Sequence, residues 1–191
     1  MFISSEITLA LRQMTFETFN LDGRSEEIKE MRQVALEYLA SYPDGWMVLL
    51  GNSGCGKTHL SMAVMSCMLS RDVQCLYFQH VDGMKELKGM LRRDDDSINK
   101  RINQMQRVPL LVWDDLWKRK QGVEPTPFEF ETVYDVLNYR WLNLLPTIIS
   151  SERSPAQLVE IDEAIGSRII ERGRGHLYTI AGRVNNYRLR G

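Results

Sequence analysis

WMVLLGNSGCGKTHL, residues 46–60, decides the fold. Five apolar residues, Trp46 to Leu50, run into a loop with glycines at positions 51, 54 and 56, and the loop runs into Lys57, Thr58 and a helical pattern. An apolar run bounded by turn residues reads as a strand buried on both faces. The loop matches G-x-x-x-x-G-K-[ST] at every fixed position, and the strand before it and helix after it are the context that gives the pattern meaning. Glycine lets successive backbone N–H groups turn inward, and the following helix adds the positive end of its dipole, so the loop is a cradle for phosphate. Gly51, Asn52, Ser53, Gly54, Cys55, Gly56, Lys57, Thr58 and His59 are therefore the expected nucleotide-binding residues. Lys57 is expected at the β- and γ-phosphates of ATP and Thr58 on Mg²⁺. The bland reading is an ordinary glycine turn.

Helices and strands alternate outward from this loop. Ser25 can cap a helix that opens on Glu26 and Glu27 and carries Ile28, Met31, Ala35 and Leu39 at helical spacing, until Pro43-Asp44-Gly45 ends it. After the loop the pattern predicts a helix to about Ser70, a strand over 75–78, and one helical stretch from about Val81 through a basic segment to Arg107. A strand over 110–113 follows, then a loop with Gly122, Pro125 and Pro127, a helix over about 128–144 and a strand over 147–150. Two short helices, near 155–159 and 162–172, lead to a strand over 176–180 and a polar tail. Five strands separated by helices predict an α/β fold with a doubly wound parallel sheet and ligands outside the carboxyl ends of its strands. Residues 1–24, with Phe16 and Phe19 in TFETFN and a turn at Asp22-Gly23, read as an N-terminal arm against a domain over 25–191.

At 191 residues, 43% hydrophobic and 26% charged, the chain can bury its own core, and a formal net charge of -1 excludes a global pull toward nucleic acid or membrane. Any basic site must be local. Cys55, Cys67 and Cys75 are too few and too widely spaced for a disulfide framework or zinc site, and they suit a reducing compartment. MFISSEITLALRQ has no basic leader, and the apolar runs are too short to span a bilayer, so the expected location is the cytoplasm with no membrane partner.

Three further stretches bear on chemistry. LLVWDDLW, residues 110–117, is an apolar strand ending in two carboxylates. Asp114 is expected to hold Mg²⁺ and Asp115 to orient or deprotonate the attacking water, the two tasks hydrolysis needs beyond a phosphate grip. A surface acidic turn is the plainer alternative. The strand end at Ser150 and Ser151, followed by Glu152 and Arg153, can place a polar group beside the γ-phosphate, or be a plain exit loop. In AIGSRIIERGRG, residues 164–175, Arg168 and Arg172 share a helical face, and Arg168 offered to a neighbouring subunit's nucleotide would act as an arginine finger. A solvated helix with Glu171 as partner is the competing reading. Cys55 sits at a position of the loop that accepts many residues, and His59 is expected to pack on its helix.

The order TFETFN, GNSGCGKTHL, LLVWDDL, PTIISS, SRIIER and NNYRLR resembles the AAA+ P-loop ATPases of the DnaC/DnaI helicase-loader group, and more distantly DnaA and the IstB-type transposition ATPases. The resemblance covers nearly the whole chain from about Phe16. It implies a Walker A loop at Gly51 to Thr58, Walker B acids at Asp114 and Asp115, sensor I at Ser150 or Ser151, and an arginine finger at Arg168. It further implies Mg-ATP hydrolysis, self-association through the nucleotide site, a replicative DNA helicase as partner, and contact with single-stranded DNA through an insertion between the second and third strands. Lys85, Lys88, Arg92, Arg93, Lys100, Arg101 and Arg107, set against Glu86 and Asp94 to Asp96, are the counterpart of that insertion here, with solvated helix faces as the plainer reading and the aspartate run pointing to a turn that faces water. Glu152 departs from the group's neutral residue there, Trp113 and Trp117 are bulkier than usual, and the stretch after Arg168 leaves no room for a C-terminal helical lid. An IstB-like transposition ATPase and a small P-loop kinase are the alternatives. The paired acids and missing lid disfavour the kinase.

Overall fold

The computed structural model describes residues 9–92, 96–118 and 123–180. Their order is α1 (Leu9–Arg12), α2 (Glu26–Ser41), β1 (Trp46–Gly51), α3 (Lys57–Ser70), β2 (Cys75–Gln79), α4 (His80–Leu91), α5 (Ser97–Arg107), β3 (Leu110–Asp114), α6 (Pro127–Leu142), β4 (Thr147–Ser151), α7 (Pro155–Ile161), α8 (Glu163–Arg172) and β5 (Leu177–Ile180). The five strands form one parallel sheet in the order β2-β3-β4-β1-β5. Every residue of β1, β2 and β3 except Gln79 is buried, as expected of strands covered on both faces.

Alternation along the strands divides the core into two layers. Met47, Leu49, Tyr77 and Val112 face α2 and α3, where Ile28, Met31, Tyr38, Leu60 and Val64 meet them. Trp46, Val48, Leu50, Leu76, Phe78 and Trp113 face α4 to α8. Phe16 and Phe19 join the first layer at 8% and 6% exposure, so the segment before α2 supplies core, not only an external arm.

The helical stretch expected from Val81 to Arg107 is two helices, α4 ending at Leu91 and α5 starting at Ser97, on either side of the aspartate run. Asp96 occupies the N-cap position of α5. Arg93, Asp94 and Asp95, the Gly122 loop position and the NNYRLR tail lie outside the described residues. Sequence signals do fix the later helix starts. Thr126-Pro127 with Glu129, and Ser154-Pro155 with Gln157, each form a capping box with proline in the first turn, and Asp162 accepts the Ile165 N–H at 2.9 Å. Among the described residues no helix is long and apolar enough to cross a membrane.

Candidate functional site

The glycine loop leaves β1 where β4 and β5 flank it, so the start of α3 lies at the carboxyl ends of the strands. Two glycines have steric reasons to be glycine. Gly51, at φ +142°, has Ile180 O at 2.4 Å from where a Cβ would stand, and Gly56, at φ +111°, has the Phe19 ring at 2.7 Å from its own. The loop is thus tight against β5 on one side and against the N-terminal segment on the other.

Lys57 is 5% exposed and its ammonium is turned into the loop, donating to the Gly51 carbonyl at 2.7 Å and the Asn52 carbonyl at 2.9 Å. Thr58 donates its hydroxyl toward both oxygens of Asp114, at 3.1 and 3.0 Å. These residues are 56 apart in sequence, and two further hydroxyls converge on the same carboxylate: Tyr77 at 2.9 Å, and Ser150, which donates to Oδ1. Asp114 is 2% exposed. Burial first, and the charge of Asp115 second, raise its pKa, opposed by the donors Ser150, Tyr77 and Thr58 that favour the anion.

Asp115 follows in the left-handed region at φ +56°, and Trp117 does so at +59°. Aspartate tolerates that region; a bulky indole does not without support. The support is packing: Trp117 is 1% exposed and its ring contacts His80 and Phe130, at centroid distances of 5.5 and 5.3 Å. The turn carries the Asp115 carboxylate out to Lys118, whose ammonium lies 2.8 Å from Asp115 and 3.1 Å from Glu152. The Asp115 N–H donates to Ser150 Oγ at 2.9 Å, so one hydroxyl bridges both acids of the strand end.

Gly54, Gly56, Lys57, Thr58, His59, Asp115, Lys118 and Glu152 line one cleft of about 270 Å³, together with Met14, Thr18, Phe19, Asn20, Arg24 and Ser53. The glycines with no space for a side chain, the buried ammonium and the hard-oxygen pair of Thr58 and Asp114 fit a nucleotide with Mg²⁺. Asn52 is exposed at the rim, and Cys55 is buried with its carbonyl accepting from Arg24 at 2.9 Å. His59 ties α3 to the N-terminal segment, its Nε2–H donating to the Thr15 carbonyl at 2.8 Å, with Thr18 Oγ1 at 3.3 Å and the edge of Phe19 nearby. Its pKa is lowered by burial, against the Thr15 carbonyl, which raises it.

Other expected residues fall elsewhere. Ser151, expected as a ligand at the sensor position, is turned away: its hydroxyl donates to the Leu116 carbonyl at 2.6 Å. The side-chain period of two puts adjacent strand residues on opposite faces, and the face carrying Ser150 is the one with Asp114. Arg168 does not line the cleft; it lies over the Trp141 and Tyr134 rings of α6 at 4.9 and 5.6 Å. Glu171 beside it accepts from Trp141 Nε1 at 3.0 Å. Trp113 donates to His80 Nδ1 at 3.2 Å within the core, which accounts for its bulk as packing.

Sequence reasoning missed Tyr77, Lys118 and the N-terminal wall of the cleft. A tyrosine in an otherwise apolar central strand, and a lysine three residues past the second acid, were the only available signals. Of the basic segment, Lys85, Arg92, Lys100 and Arg107 are exposed, although Lys85 pairs with Asp82 at 2.7 Å and Lys100 with Asp96 at 3.8 Å.

The chain has counterparts among known proteins. A profile of the bacterial DnaA ATPase domain matches residues 11–174. The phage-like element PBSX protein XkdC of Bacillus subtilis is 37% identical over 198 residues, covering 98% of this chain and 73% of XkdC. Protein YqaM of the same organism is 35% identical over 187 residues, covering 94% of this chain and 58% of YqaM. The chain therefore spans little more than half of YqaM's length. The crystal structure of the DnaC helicase loader has the same fold, with a TM-score of 0.76 at 20% identity, covering 91% of this chain and 99% of that one.

Proposed function

The chain belongs to the bacterial DnaA ATPase-domain family of AAA+ P-loop proteins, and on that premise we propose that it binds Mg-ATP, hydrolyses it, and serves DNA replication as a helicase-loader-type protein. The observation that carries the reading is the meeting of Thr58 and Asp114 beside a glycine loop with Lys57 buried at its centre. A hydroxyl and a carboxylate at one point, next to the glycine loop, would suit a divalent cation beside phosphate. When bound, Mg²⁺ neutralises phosphate charge and fixes the reacting phosphoryl group.

The chain's own residues divide the remaining work. The loop from Gly51 to Thr58 grips the phosphates through its N–H groups, and Lys57 exchanges the Gly51 and Asn52 carbonyls for phosphate oxygens. Asp114 and Thr58 would hold the metal. Asp115 orients the attacking water and accepts its proton, with Ser150 fixing both acids through one hydroxyl. Phe19, Asn20 and Arg24 close the cleft from the N-terminal side. Arg168 supplies charge to the nucleotide of a neighbouring copy, so turnover depends on assembly, and the exposed basic residues of α4 and α5 contact single-stranded DNA. The partner is a replicative helicase, in keeping with the DnaC helicase loader that shares this fold.

The test is ADP release from Mg-ATP without added acceptor. Lys57→Ala is expected to abolish nucleotide binding, and Asp115→Asn to retain binding and lose turnover. Arg168→Ala should keep affinity and lose DNA-stimulated turnover; an unchanged rate in that variant would sink the finger assignment. Co-purification with a replicative helicase, and not with a transposase, tests the loader role.

A further inference from the structure

Lys118 is required by no part of the nucleotide-binding pattern, yet the fold delivers it to the cleft with care. Its N–H closes the acid turn on the Asp115 carbonyl at 2.9 Å, and Trp117 is kept in the left-handed region by burial against His80 and Phe130. Backbone held in a costly conformation by its surroundings is common where a side chain has to be aimed. What this turn aims is an ammonium, 2.8 Å from Asp115 and 3.1 Å from Glu152.

Charge at the cleft gives that ammonium a task. Its lining includes three cations, Arg24, Lys57 and Lys118, and two carboxylates, Asp115 and Glu152. Arg24 serves the Cys55 carbonyl and the Phe19 ring, and Lys57 serves the loop carbonyls. Lys118 is the cation that faces both acids. Without it, two carboxylates would confront the end of the polyphosphate that lies nearest Asp115, and like charges a few ångströms apart in a half-buried cleft repel strongly. A lysine ammonium is a compact charge on a flexible stem with three donors, so it can neutralise the acids and still donate to a phosphate oxygen.

We propose that Lys118 makes this cleft discriminate a nucleoside triphosphate from a diphosphate, by neutralising Glu152 and Asp115 where the terminal phosphate has to sit. The proposal rests on the nucleotide reading given above. It separates two grips: the loop and Lys57 hold the phosphates that both nucleotides share, and Lys118 acts only on the charge that the triphosphate adds. It also accounts for Glu152, a carboxylate that would otherwise stand against bound ATP.

The experiment measures Mg-dependent affinities for ADP and for a non-hydrolysable ATP analogue, by calorimetry on the full chain. Lys118→Met is expected to weaken the triphosphate analogue by about tenfold or more while ADP stays within about twofold. Lys118→Arg should keep most of the preference, and Glu152→Gln added to Lys118→Met should recover a large part of the lost affinity. Glu152→Gln alone, which leaves Lys118 in place, should strengthen triphosphate binding. Equal weakening of both nucleotides in Lys118→Met, an unchanged ratio, or no recovery in the double variant overturns the proposal. A wild-type chain that binds neither nucleotide, or a Lys57→Ala variant that binds both normally, overturns the nucleotide reading itself.

Discussion

Replacing Arg140 should cost this protein a large part of its stability, although the residue touches no ligand. Arg140 lies on α6, has no exposed surface, and donates to Thr147 Oγ1 at 2.9 Å and to the carbonyls of Met105, Gln106 and Val108 at 3.0, 3.1 and 2.9 Å. It also donates to the Pro146 carbonyl. The Met105 and Gln106 carbonyls belong to the last turn of α5, which has no intrahelical donors of its own, so the guanidinium serves as its cap. One side chain thereby joins α5, α6 and the start of β4. Arg140→Met keeps the volume and leaves those carbonyls without their donor. Breaking a buried charged network costs about 3–5 kcal/mol, less than the sum of its bonds because the desolvation of the cation is recovered at the same time. Against a total of about 5–15 kcal/mol this is a large share. For a chain of this size it corresponds to a fall in Tm of about 6–20 °C, at about 2–4 °C per kcal/mol. Urea unfolding followed by tryptophan fluorescence, with a thermal melt beside it, gives the number, and Arg140→Lys should fall between the two because an ammonium reaches fewer acceptors. A loss below about 1 kcal/mol for Arg140→Met at unchanged m-value would refute the reasoning.

Gly56→Ala combines a left-handed φ, costing about 1–2 kcal/mol, with a Cβ placed 2.7 Å from Phe19, so it should lower stability and weaken nucleotide binding in calorimetry. Gly23→Ala, at φ +64° in open space, should cost only the backbone part. Ser150→Ala should reduce ADP release by about tenfold or more, because one hydroxyl orders both acids, whereas Ser151→Ala should cost about 1 kcal/mol of stability and leave turnover nearly intact. Burial, and then the charge of Asp115, raise the Asp114 pKa, so in the window above the ordinary carboxylate value the folded chain holds a proton that the unfolded chain has lost. Acidification through that window adds stability from this group while protonating the expected metal ligand. Mg-dependent nucleotide binding should therefore weaken on the acid side before ordinary carboxylates titrate, and Tyr77→Phe should move that limb to higher pH.

The outline of the fold was legible because its signals are local. Runs of four or five residues between turn residues marked each strand within one residue of its observed ends, and the glycine loop announced its own strand and helix. In the basic stretch before β3 the charges mask the periodicity, so the sequence shows a helical segment and a turn at the aspartates but not the helix ends, Leu91 and Ser97. Within the site, Lys57, Thr58, Asp114 and Asp115 were recognisable by residue type and spacing. Tyr77, Lys118 and Arg140 were not, since a hydroxyl, an ammonium or a guanidinium in a sequence does not say what it will face.

The sequence by itself determined a parallel α/β chain with a phosphate loop and a pair of strand-end acids, since hydrophobic period, turn chemistry and motif spacing are properties of neighbours along the chain. Tertiary structure alone decided the strand order, the meeting of Thr58 and Asp114 across 56 residues, the choice of Ser150 over Ser151, and the wall that Phe19 builds against Gly56. The physical reason is that each of these depends on which face of a strand meets which partner, and that is fixed only when the two apolar layers close on the sheet.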